Sequence, residues 1–168
     1  ILDEKRRTDI KKYNVPSEND FWKFMSEKWL VKNVTYLKWD FQKADFELEK
    51  SFSAFLEQQG YFEKKFKILL CDSNEVFHLA LPSSSDEVIF LLSMKLVRSL
   101  DLSKLEISIL LFEDYLRWKN DLFKKMVTNK DIDQLIGSNF NGKTLDKAAL
   151  DALLKRYSEV AFEKGFTF

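Results

Sequence analysis

Cysteine and histidine are almost missing from this chain: Cys71 and His78 are the only ones among 168 residues. One thiol excludes an internal disulfide, and one thiol with one imidazole excludes a Cys/His zinc cluster built within a single chain. Glycine and proline are nearly as scarce, at four and two residues. Few positions therefore offer positive φ or a preset turn, and loops that carry backbone against a substrate have few places to form. An excess of one charge is also lacking, since 27 basic and 27 acidic residues give a formal net charge of zero. No global field draws the chain toward nucleic acid or an anionic membrane. No apolar run approaches the roughly 18 to 20 residues of a membrane span, and residues 1–12 are charged where a signal peptide is apolar. These features predict a cytoplasmic, non-enzymatic protein with no metal, no cofactor and no nucleic-acid or membrane partner.

Aromatic residues are abundant: Phe, Trp and Tyr make up 15 % of the chain, within a hydrophobic fraction of 45 %. That content suits one domain with one core, spanning residues 1–168. Ser17 precedes Glu18 and Asp20 and an aromatic run, which reads as a capped helix start. Residues 34–41 alternate with period two and read as a strand. Leu48, Phe52, Phe55 and Leu56 have helical spacing, with Gly60 placed for a left-handed C-cap. Residues 66–71 and 76–81 are β-prone runs flanking Asp72-Ser73-Asn74-Glu75, which predicts a β-hairpin near 66–81. Ser84-x-x-Glu87 is a capping-box pattern ahead of the apolar residues Val88, Ile89, Phe90, Leu91 and Leu92, and predicts a buried helix. Ser103-x-x-Glu106 repeats the pattern and opens a helix to about Val127, and a last helix follows Thr144. The expected fold is mainly α, a helical bundle of four to five helices with a small antiparallel β element of about three short strands.

The long helix carries two apolar stripes. Leu102, Leu105, Ile109, Phe112, Leu116, Phe123 and Met126 follow steps of three and four, interrupted only at Lys119, and read as a core seam. Ile107, Leu111, Tyr115, Trp118 and Leu122 form a second stripe about 120° away at about 100° per residue. If the first stripe docks the helix, the second faces either other elements of the same chain, as in a central helix, or a partner protein. Tyr115, Trp118 and Leu122 are the expected contact residues, with Lys119 and Arg117 fixing orientation at the rim.

Three patterns invite other chemistry. Gly137, Gly142, Lys143 and Thr144 satisfy GxxxxGK[ST] over residues 137–144, in which Lys143 would reach outer phosphates and Thr144 would hold magnesium. That nucleotide-binding alternative lacks the strand before the loop and the βαβ unit after it. Cys71 and His78 would be diagonal neighbours on one face if the expected hairpin pairs Cys71 with Val76, yet no oxyanion donor accompanies them. Lys64, Lys65 and Lys67 beside Tyr61, Phe62 and Phe66 have the composition of a single-strand binder, diluted by Glu63.

Size, element order, capped helices at Ser17, Ser84, Ser103 and Thr144, and the expected hairpin give this chain a likeness to a known family. It resembles the accessory co-chaperones that bind the flagellin export chaperone in flagellated bacteria. The resemblance implies a helical bundle that assists flagellar protein export by binding that chaperone. It carries no motif on which a functional residue can be aligned.

Overall fold

The computed structural model describes residues 18–37, 39–43, 47–62, 64–84, 86–127 and 147–165. The protein is mainly helical with a small sheet, but the sheet is the middle of the structure rather than an appendage. Its four strands are β1 (Trp39–Lys43), β2 (Lys65–Cys71), β3 (His78–Pro82) and β4 (Glu87–Ser93), in the order β1-β2-β4-β3. The helices are α1 (Glu18–Lys32), the single turn α2 (Val34–Leu37), α3 (Leu48–Gln58), α4 (Met94–Ser99), α5 (Lys104–Lys119), α6 (Leu122–Val127) and α7 (Lys147–Gly165).

The apolar run 88–92 is a strand, not the expected buried helix. It is flanked on both sides by hydrogen-bonded strands: β2 runs parallel to it from Lys65↔Glu87 to Cys71↔Ser93, and β3 antiparallel from His78↔Leu92 to Pro82↔Val88. Alternate side chains then point to opposite faces. Val88, Phe90 and Leu92 join one core with Ile68 and Leu70 of β2, Leu48, Phe52 and Leu56 of α3, and the inner face of α5. Ile89 and Leu91 join a second core with Leu79 and Leu81 of β3, Phe21, Trp22, Met25 and Trp29 of α1, and Leu153, Leu154 and Tyr157 of α7. A strand covered by helices on both faces must be apolar at every position, which is why its sequence has no alternation.

The helical bundle with an antiparallel element is therefore corrected to helices layered on both faces of a mixed sheet. The hairpin near 66–81 is corrected as well: β2 and β3 are separated by β4, and residues 72–77 carry the chain past the end of β4. The hairpin of this sheet is β3–β4, closed where Ser83 and Ser84 donate backbone N–H groups to the Glu87 carbonyl. Residues 34–41 split between α2 and β1.

Local signals at helix ends are realised more directly. Gly60 has φ +82°, its N–H donates to the Glu57 carbonyl, and Tyr61 N–H donates to the Leu56 carbonyl, which is a Schellman ending for α3. Ser103 and Glu106 form a complete capping box at α5. Ser93 Oγ accepts from both Leu96 N and Phe77 N, so one hydroxyl caps α4 and anchors the start of β3. The long helix breaks at Asn120-Asp121, where Asp121 has φ +55°. Ser17 and Thr144 lie outside the described residues, although the helices expected after them are present as α1 and α7.

No atom lies within 4 Å of a Cβ added at Gly60, so its φ alone selects glycine there. Gly60→Ala is expected to lower unfolding stability by about 1 kcal/mol with an unchanged denaturant slope, and chemical denaturation measures it.

Candidate functional site

Helix α5 carries both apolar stripes, and the second is the one the sheet buries. The stripe Ile107, Leu111, Tyr115 and Trp118 faces the sheet, with Tyr115 1 % and Trp118 9 % exposed. The expected core seam is divided: Leu105 is 60 % and Ile109 51 % exposed, whereas Leu102, Phe112 and Leu116 are half-buried and pack against the core, with Phe112 5.5 Å from Phe55. Ring packing selects this orientation. Tyr115 lies 5.2 Å from Tyr61, 6.1 Å from Phe112 and 5.6 Å from Trp118, so the bulkiest side chains of the helix fill the core between α3 and β4.

The expected contact face is corrected accordingly. Tyr115 and Trp118 are inside the protein and unavailable to a partner. Leu122 is exposed but begins α6, past the break at Asp121. Lys119 is exposed, with Nζ 4.3 Å from the centre of the Tyr61 ring. Arg117 donates to Glu113 Oε1 at 2.5 Å and lies 3.6 Å from Asp114 Oδ1. Of the five, Arg117, Trp118 and Leu122 line one cleft, and Tyr115 and Lys119 are not among its lining residues.

At the β3 edge, a cleft of about 340 Å³ opens between α5, α6 and α7. Its polar end is a pair that the sequence reading missed: His78 Nδ1 donates to Asp114 Oδ2 at 2.7 Å, with both side chains almost wholly buried. Trp118, Phe123, Met126 and Val160 are among the apolar residues lining the rest. Asp114 falls within the arc of α5 that Ile107, Leu111, Tyr115 and Trp118 bury, and a carboxylate among core positions is the signal that could have revealed it. The carboxylate fixes the imidazole orientation, as it does in catalytic dyads. No hydroxyl, thiol or amine is among the described residues lining this cleft. The evident role of the pair is to satisfy two buried polar groups while tying α5 to the edge strand.

Cys71 is not part of that arrangement. It faces the core of α1 and α7, whereas His78 faces α5, so the sheet separates them. Burial pushes its thiol up from an ordinary value of 9.0 to about 12. Of the three lysines considered for nucleic acid, Lys65 pairs with Asp86 at 3.2 Å and Lys67 with Glu87 at 3.4 Å. The phosphate-loop pattern at 137–144, with Lys143 and Thr144, lies outside the described residues. Among the described residues, no cluster of three or more His, Cys, Asp or Glu is placed to hold a metal, and no helix is long and apolar enough to cross a membrane.

No protein-family model matches the chain, and no curated protein or solved structure matches it either.

Cys71 is expected to resist a disulfide-exchange reagent at pH 8 in the folded protein and to react fully once denatured, as thiol titration would show. The same burial sets the sign of a pH effect. Between about pH 9 and 12 the unfolded thiol loses its proton while the folded one keeps it, so this group's contribution to stability falls as pH rises.

Proposed function

We propose that the protein is a non-catalytic protein-binding module, acting as a co-chaperone or adaptor, that receives an amphipathic helix along the outer stripe of α5. The observation carrying this reading is the exposure of Leu105 and Ile109 within the spacing 102, 105, 109, 112, 116. That spacing is the a/d pattern of a helix-pairing seam, and it lies on a helix whose other side is already committed to the core. Glu106 borders the stripe and is exposed, which suits a partner helix with a basic flanking residue, whereas Glu113 is already paired with Arg117. Hydrogen bonds from Ser103 hold the Glu106 carboxyl below its ordinary range and keep it ionised.

The flagellin export chaperone is the partner that the resemblance implies, and this reading places the protein in the cytoplasm. With no hairpin at 66–81 and no helix at Ser84, the resemblance rests on size, aromatic content and the remaining helices. The apolar stripe supports helix binding independently of that partner's name.

Size-exclusion chromatography with light scattering, on this protein mixed with the export chaperone of the same source, tests the reading. A mixed peak is expected, and the double substitution Leu105→Lys with Ile109→Lys is expected to abolish it. Stability should change by no more than about 0.5 kcal/mol, as for surface positions. Trp118→Ala is expected instead to destabilise the fold by about 3 to 5 kcal/mol, because it empties a core position. A complex unaffected by the double substitution would remove α5 from the interface, and two separate peaks would remove this partner.

A further inference from the structure

The cleft beside His78 lies at the outer edge of the sheet, and the register of β3 fixes what its floor offers. The side chains of His78 and Ala80 face α5 and that of Leu79 faces the core of α1 and α7, yet all three residues line this one cavity. Only at the free edge of a strand can residues of both sheet faces border the same space.

Hydrogen bonding along β3 determines which backbone groups point there. Ser93 N–H donates to the Phe77 carbonyl and Ser83 N–H to the Glu87 carbonyl, so residues 77, 79, 81 and 83 turn their backbone groups toward β4. His78, Ala80 and Pro82 turn theirs outward. The Pro82 carbonyl accepts from Ser26 Oγ, but the N–H and C=O of Ala80 have no hydrogen bond to any described residue. Ala80 is only half-buried and borders the cleft, which leaves this pair within reach of a ligand.

A backbone donor and acceptor turned the same way are the complement of one residue of an extended peptide. Pairing cannot continue past Pro82, which has no N–H and whose carbonyl is taken. Trp118, Leu122, Phe123, Met126 and Val160 give the walls an apolar character. The carboxylate and the guanidinium of the lining offset each other, with Arg117 Nη1 3.6 Å from Asp114 Oδ1, and His78 holds the other Asp114 oxygen at 2.7 Å. A volume of about 340 Å³ equals about ten waters at about 30 Å³ each, room for one large side chain with its peptide groups.

We propose that this cleft binds an extended peptide segment at a single uncharged apolar residue, whose backbone pairs with Ala80 and whose side chain enters between α5, α6 and α7. The proposal does not rest on helix binding at Leu105 and Ile109, which are not among the residues lining the cleft.

Amide-detected NMR of the whole chain, titrated with N-acetyl-leucine-N-methylamide, tests it. In the free protein, hydrogen exchange should be fast at Ala80 and slow at Leu79 and Leu81. The ligand should shift the Ala80 N–H downfield saturably and slow its exchange, with little change at Leu79 and Leu81. The glycine analogue lacks the side chain and should bind at least about tenfold more weakly. Ala80→Pro removes the outward donor without touching the β4 ladder and should weaken binding about tenfold, as for one hydrogen bond. Leu122→Lys puts a charge at an exposed lining residue and should weaken binding at least as much while leaving the melting temperature unchanged. An Ala80 amide that is protected before ligand is added, or unmoved at saturation, would overturn the inference. So would equal affinity for the leucine, glycine and lysine compounds, or unchanged affinity in both variants.

Discussion

The rest of the structure depends on the double burial of β4. Its backbone is paired with β2 on one side and β3 on the other, so its polar groups are satisfied within the sheet. Its side chains are then free to start two cores at once. Phe90 is wholly buried toward α3 and α5, and Leu91 wholly buried toward α1 and α7. Helices on either face follow from this, because a sheet with two apolar faces must have both covered. The aromatic content is used in the same way: Trp22 and Trp29 pack one face, and Phe52, Tyr115 and Trp118 the other.

Polar side chains fasten the layers where the packing alone would permit sliding. Ser26 of α1 donates to the Pro82 carbonyl on β3 and shares a 2.7 Å hydrogen bond with Tyr157 of α7. Trp29 Nε1 donates to Ser158 Oγ at 3.0 Å. On the opposite face, the His78–Asp114 pair joins β3 to α5. The edge strand is therefore held from both layers. With its inner arc fixed in this way, α5 presents Leu105 and Ile109 outward.

Much of this was legible where the signal is local. The Gly60 ending of α3 and the Ser103 capping box need only a few neighbouring residues, and both are present as the sequence implies. Pairing was not legible. The run 88–92 is equally compatible with a buried helix and a doubly buried strand, and the residues at Ser84 and Glu87 satisfy a helix-cap pattern while forming the β3–β4 turn. Asp72-Ser73-Asn74-Glu75 has the same composition whether it closes a hairpin or crosses the end of another strand. The two stripes of α5 are similarly apolar, and only the position of Tyr61 and the sheet decides which one is inside. His78 and Asp114 are 36 residues apart, so their hydrogen bond required the topology.

The division of α5 into a committed face and an available face is the claim on which the functional account stands. Methyl-resolved NMR of the free protein with a soluble paramagnetic relaxation agent tests it without any partner. The Leu105 and Ile109 methyl signals should broaden strongly, while those of Ile107 and Leu111 remain sharp. Protected Leu105 and Ile109 methyls, with Ile107 and Leu111 open to the agent, would contradict the account.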